Sequence, residues 1–120
     1  NNIQGTKNII ALIKKYNVKF LIFSSSASVY GKQSKFPITE NSKLKPISYY
    51  GKTKLICEKI IKKSCSKNTF KSLSLRYFNV IGSNYENKLG EIHNPPIHLI
   101  PIFINNICKR GAFRIVFYKT

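Results

Sequence analysis

Two short stretches carry side chains whose types and spacing could do proton chemistry. One is Ser24-Ser25-Ser26-Ala27-Ser28, which follows the apolar residues Leu21-Ile22-Phe23; the other is Tyr50-Gly51-Lys52-Thr53-Lys54. Tyr50 and Lys54 are four residues apart, so a helix places them on one face with the ammonium near the phenol. A cation there stabilises phenolate and draws a tyrosine from its ordinary pKa of about 10 toward a working pH, as a tyrosine base requires. Hydroxyls fixed at a strand end can donate to a substrate oxygen. Each feature also has a plain structural reading. A Tyr/Lys pair is common on a solvated helix face, and serines such as Ser24 and Ser25 often satisfy nearby backbone groups.

Such groups act together only if regular elements position them. Residues 1–16 read as a helix, with Ile9, Leu12, Ile13 and Tyr16 at three- and four-residue spacing and Lys7, Lys14 and Lys15 elsewhere; Asn17 ends it. Residues 18–23 are short and almost continuously apolar, the pattern of a strand covered on both faces in a parallel sheet. Residues 32–46 form a polar loop containing Pro37 and Pro46. A second helix is expected over 48–66, with Ile56, Cys57, Ile60, Ile61 and Ser64 in one stripe. A second strand is expected over 72–78, with Leu73, Leu75 and Tyr77 on one side and Ser74 and Arg76 on the other. Helix, strand, helix, strand implies a parallel α/β sheet, whose ligands lie beyond the carboxyl ends of the strands. The serines and Asn79 sit at those ends. Beyond them the pattern is a long loop with Pro95 and Pro96, then a short helix over 101–109.

Composition narrows the function classes. The chain has 120 residues, 42% of them apolar, enough for one small domain or part of one. Its net charge of +17 comes almost wholly from scattered lysines, with Arg76, Arg110 and Arg114 as arginines and no aspartate. That distribution reads as a compositional preference rather than a nucleic-acid patch. No apolar run reaches the roughly 18 residues of a membrane span. Cys57, Cys65 and Cys108 show no Cys-x-x-Cys spacing, so neither metal nor disulfide is expected. Cys57 reads as a small core residue in a reducing, cytoplasmic setting. Glu40 and Glu58 read as solvated or locally paired. The chain starts at Asn1 and contains no methionine, which suggests an internal fragment of a longer protein.

Taken together, the strand-end serine and the Tyr-x-x-x-Lys about two dozen residues later resemble the signature of the extended short-chain dehydrogenase/reductase family. SSSASVYG, SYYGKTKLICE, LRYFNVIGS and GEIHNPPIHLIP, preceded by NNIQGT, are similar in order to the blocks of members that invert C4 of a UDP-hexose. The resemblance implies an incomplete Rossmann-like, doubly wound parallel sheet. Residues 1–80 would be the later part of an NAD-binding domain and 81–120 the start of a substrate region. It implies Tyr50 as base for the sugar 4-hydroxyl, Lys54 holding the nicotinamide ribose and lowering the Tyr50 pKa, and Ser26 relaying the proton. Asn1 and Phe78 would touch NAD; Asn79 and His98 would line the UDP-sugar site. A homodimer formed through two helices, one beginning at Tyr50, is also implied. Asn1 could instead cap a helix, and Phe78 and His98 could be packing residues.

There are departures from the family pattern. Val80 stands where some relatives have proline and Ser28 where threonine is frequent, and GAFRIVFYKT lacks an expected glycine and acid. No Gly-x-x-Gly-x-x-Gly phosphate loop occurs in these residues, so the 120 residues alone are expected to be inactive. Two alternatives stay open. Another nucleotide-sugar enzyme of the family, a 4,6-dehydratase or a UDP-glucuronate epimerase, is one, although a dehydratase would need acids beside the strand-end hydroxyl and Ser26-Ala27-Ser28-Val29 has none. The other is a non-catalytic polyanion binder.

Overall fold

The computed structural model describes residues 1–65, 69–82 and 94–110. The chain divides into two compact units, Asn1–Phe78 and Asn79–Thr120. The first contains helix α1 (Asn2–Lys15), strand β1 (Phe20–Ser26), a 3₁₀ turn (Ala27–Val29), helix α2 (Tyr49–Cys65) and strand β2 (Lys71–Tyr77). The second contains helix α3 (Leu99–Arg110). Pro101 lies in the first turn of α3, where its missing N–H has no intrahelical partner to lose. The stretch GAFRIVFYKT and most of the long loop lie outside the described residues.

α1 ends at Asn17, whose φ of 54° is left-handed. Asparagine tolerates that conformation better than most residues. The Val18 N–H donates to the Ile13 carbonyl at 2.9 Å and the Asn17 N–H to the Lys14 carbonyl at 3.4 Å, closing the helix with two crossed bonds. The chain then turns into β1, which pairs in parallel with β2 from Phe20↔Lys71 to Ser26↔Tyr77. The strand expected over 18–23 therefore starts two residues later and runs through all three serines. Pairing with Leu75, Arg76 and Tyr77 extends it beyond the apolar run.

Both helices of the first unit lie over one side of this pair. Ile10, Ile13, Ile61 and Phe70 form the buried core, with Leu21, Phe23, Ile60 and Cys65 packed against it. β1 is not covered on both faces, as its apolar run suggests: Phe20 is 69% and Ile22 67% exposed, and Leu73 of β2 is 55% exposed. The helix stripes shift for the same reason. In α1 the inward positions are Ile10 and Ile13, while Ile9, Leu12 and Tyr16 are exposed. α1 carries two adjacent apolar stripes, and only docking against the sheet decides between them. In α2, Cys57 and Ile61 are buried as expected but Ile56 faces outward.

The N-terminus of α2 is fixed by Ser48, whose hydroxyl accepts the Gly51 N–H at 3.0 Å. Gly51 itself is buried. A Cβ there would sit 2.6 Å from the Ser28 carbonyl oxygen, so glycine lets the first turn of α2 lie directly on the turn after β1. A Cβ on Gly5 of α1 would meet nothing within 4 Å. Gly51→Ala and Gly5→Ala are thus expected to act with opposite signs in denaturant unfolding of the protein that carries this chain. The first should lose about 1–3 kcal/mol through overpacking, and the second should gain about 0.5–1 kcal/mol from helix propensity. Equal effects at the two positions would contradict the close approach.

Candidate active site

The three serines at the end of β1 have three different tasks. Ser24 offers its carbonyl oxygen to Lys54 Nζ at 2.8 Å. Ser25 is buried and donates its hydroxyl to Glu58 Oε1 at 2.5 Å, so it is engaged with a side chain rather than with the loop backbone expected of it. Ser26 is still extended (φ −152°, ψ 146°) and caps the turn that follows. Its Oγ accepts both the Ser28 N–H at 3.2 Å and the Ser28 hydroxyl at 2.9 Å. A serine hydroxyl has one proton and two acceptor lone pairs. With both acceptor positions taken, the proton of Ser26 is left to donate elsewhere.

Opposite the serines stands the first stretch of α2. Lys54 Nζ lies 5.6 Å from the centre of the Tyr50 ring and 5.0 Å from that of Phe23. The helix thereby brings Tyr50 and Lys54 together, and the Lys54–Ser24 bond ties both to the end of β1. Tyr50 is half-exposed, as access to a ligand requires. α1 enters at the same place: Asn2 Nδ2 donates to Thr53 Oγ1 at 3.2 Å, and Cys57 Sγ donates to the Asn2 carbonyl at 3.6 Å. Asn1, one residue earlier, occupies the N-cap of α1, but its side chain makes no capping bond.

Phe78 directly follows β2 and is 63% exposed, so it does not fill core. Asn79 and His98 belong to the second unit. Both are exposed, and the His98 carbonyl accepts the Ile102 N–H at 3.1 Å as α3 begins.

Of the two readings of Glu58, solvated or paired, the structure shows a pair, buried and reaching across to β2. Glu58 is one turn beyond Lys54 and two beyond Tyr50, a spacing that places all three on one helical stripe. Its side chain is only 10% exposed. Arg76 of β2 grips it with two parallel bonds, Nε to Oε1 at 3.0 Å and Nη2 to Oε2 at 2.7 Å. Arg76 Nη1 donates in turn to Tyr30 Oη at 2.9 Å and to the Glu40 carbonyl at 3.4 Å. Burial by itself would raise the Glu58 pKa, but the hydrogen bonds from Arg76 and Ser25 and the charge of Arg76 outweigh it and hold the carboxyl below its ordinary 4.5. The hydrogen bond to Glu58 is the main cause that pushes Arg76 above the usual arginine range, against its own burial. No helix among the described residues is long and apolar enough to cross a membrane.

A parallel strand pair with a hydroxyl cluster at its carboxyl end, set against a helix carrying Tyr-x-x-x-Lys, is the arrangement that the resemblance to the short-chain dehydrogenase/reductase family leads one to expect. Residues 1–119 match the NAD dependent epimerase/dehydratase family, and the chain belongs to it. It is 42% identical over 116 residues to a UDP-glucose 4-epimerase of Lactobacillus helveticus, covering 96% of this chain and 35% of the relative. The UDP-glucose 4-epimerase of Brucella ovis, solved in complex with NAD, superposes with a TM-score of 0.77 at 38% identity, covering 85% of this chain and 31% of that one. A UDP-N-acetylglucosamine 4-epimerase of Methanobrevibacter ruminantium, solved with UDP-N-acetylmuramic acid, gives a TM-score of 0.76 at 31% identity, covering 99% and 36%. The chain spans about a third of the length of these relatives.

The acid limb of stability follows from Glu58. Its folded pKa is depressed, so its stabilising contribution is complete above the ordinary value of 4.5 and is lost as the pH falls from there through the lower folded value. In chemical denaturation of the protein that carries this chain, wild type should lose stability on acidification below about pH 4.5 more steeply than Glu58→Gln. Parallel curves for the two proteins would show that the pair is not linked to folding.

Proposed function

We propose that the protein carrying this chain interconverts the C4 epimers of a UDP-hexose such as UDP-glucose and UDP-galactose, with NAD as its cofactor. The observation that carries this reading is the junction of Tyr50, Lys54 and the end of β1, where Lys54 Nζ bonds to the Ser24 carbonyl beside the Tyr50 ring. The donor set suits the nicotinamide ribose. An ammonium has three donors, of which Ser24 takes one, leaving two for a vicinal diol. NAD, when bound, supplies a hydride acceptor and donor at the sugar carbon.

The chain's own residues handle the proton and the orientation. Lys54 holds the ribose and keeps a positive charge beside the phenol. Tyr50 takes the proton of the 4-hydroxyl and later returns it. For Ser26 to relay that proton, the Ser28 hydroxyl turns away and frees one lone pair of Ser26 Oγ, which accepts the 4-hydroxyl proton as Ser26 gives its own proton to Tyr50. Asn1 and Phe78 are assigned to the cofactor, and Asn79 and His98 to the UDP-sugar, with residues 1–80 completing the NAD-binding domain and 81–120 opening the substrate region. The exposure of Asn1, Phe78, Asn79 and His98 is compatible with this assignment. Ile9, Leu12 and Ile56, exposed on α1 and α2, support a homodimer formed through these two helices. A cytoplasmic place in galactose metabolism belongs to the same reading. Residues 1–120 alone should be inactive, because they contain no glycine-rich phosphate loop.

In the full protein, Tyr50→Phe should nearly abolish epimerisation while NAD stays bound. Ser26→Ala should slow turnover by about 10²–10⁴-fold, less than the loss of Tyr50, because water can partly replace the relay. Steady-state kinetics with UDP-galactose, together with NAD content, check both. Wild-type turnover in Tyr50→Phe would remove the base from the mechanism. A larger defect in Ser25→Ala than in Ser26→Ala would move the relay by one residue.

A further inference from the structure

We infer that the Glu58–Arg76 pair, with Ser25, is the positioning device of the reaction: it sets the depth and rotation of α2 so that Tyr50 and Lys54 meet the end of β1. The inference rests on the functional reading above and adds three residues that act without touching substrate. Its basis is how the bonds are distributed. One carboxylate on α2 accepts from Ser25 of β1 and twice from Arg76 of β2. Ser25 immediately precedes Ser26, and Arg76 lies two residues before Phe78. The segments that carry the relay, the base and a cofactor residue are therefore pinned to a single point.

That point is on the reacting face of the helix, because Tyr50, Lys54 and Glu58 recur every fourth residue. A slide of α2 by one residue would move its side chains by about 1.5 Å and turn them by about 100°, which the two-pronged Arg76 grip does not allow. Arg76 is itself held, with its guanidinium 4.9 Å from the centre of the buried Tyr30 ring and bonded to the Tyr30 hydroxyl. The middle of the same stripe is held by the Lys54–Ser24 bond. A productive site tolerates errors of only about 0.5 Å, and a misplacement of about 1 Å can lower the rate by about 10²-fold. Apolar packing alone would hold α2 less specifically, since Ile61 gives no directional bond and the thiol of Cys57 bonds to α1 rather than to the strands.

The test uses the full protein loaded with NAD. Glu58→Gln keeps the shape of the side chain and removes one arm of the grip. Arg76→Lys keeps the charge and removes the fork. Ser25→Ala removes the third bond only. The expected pattern is a fall in kcat of about 10²-fold for the first two and about tenfold for Ser25→Ala, with KM for UDP-galactose and NAD content near wild type. Crystal structures of the variants should show Lys54 Nζ displaced from the Ser24 carbonyl. Wild-type kcat in folded Glu58→Gln overturns the proposal. If that variant does not fold, wild-type kcat in both Arg76→Lys and Ser25→Ala overturns it equally. A variant that loses kcat while the Lys54–Ser24 bond stays intact also counts against it. An inactive Tyr50→Phe beside an active Glu58→Gln would refute only the positioning role. An active Tyr50→Phe would refute the catalytic reading, and the variant crystal structures would then still decide whether Glu58 positions α2.

Discussion

The arrangement of the first unit depends on one carboxylate. Glu58 sits where α2 crosses the two strands, largely withdrawn from solvent, and a charge there is tolerated only because its oxygens receive three hydrogen bonds. The same requirement makes it informative. Satisfying Glu58 obliges Ser25 and Arg76 to arrive at one place from neighbouring strands, and this couples strand register to helix position. Nonpolar packing between α2 and the sheet could be met by several nearby arrangements; the Arg76–Glu58 fork admits one.

Three serines in succession make sense in this setting. Along a strand, side chains alternate between faces, so Ser25 points to the helix layer, while Ser24 contributes through its backbone and Ser26 turns out to cap the segment that follows. Small residues are needed because α2 approaches closely, as the Gly51–Ser28 contact shows. A bulky residue at Ser25 would occupy the volume of the Glu58 hydrogen bond, and one at Ser26 could not both cap the turn and keep a proton to donate.

Among the described residues the sheet is covered on one side. α1 and α2 cover Leu21, Phe23 and Ser25, while Phe20, Ile22 and Leu73 on the other face are exposed. A second apolar surface runs along the outer side of α1. The chain's large positive charge lies mostly on lysines, whose long stems can shield apolar area while the ammonium stays hydrated.

How much of this was legible beforehand follows from the range of each interaction. The helix–strand–helix–strand order, the parallel class and the pairing of Tyr50 with Lys54 were readable because they depend on local periodicity and on residues four apart. The Ser24-Ser25-Ser26 block was legible through its residue types and its place after a short apolar run. The length of β1, the inward stripe of α1 and the open face of the sheet were not readable, since the first is set by pairing with β2 and the other two by which side the helices dock on. The partnership of Glu58 with Arg76 and Ser25 spans 18 and 33 residues of sequence. Nothing in the local pattern distinguishes Glu58 from a solvated acid; only the fold, by burying one side of α2 against two parallel strands, turns that carboxylate into the point where helix and sheet are joined.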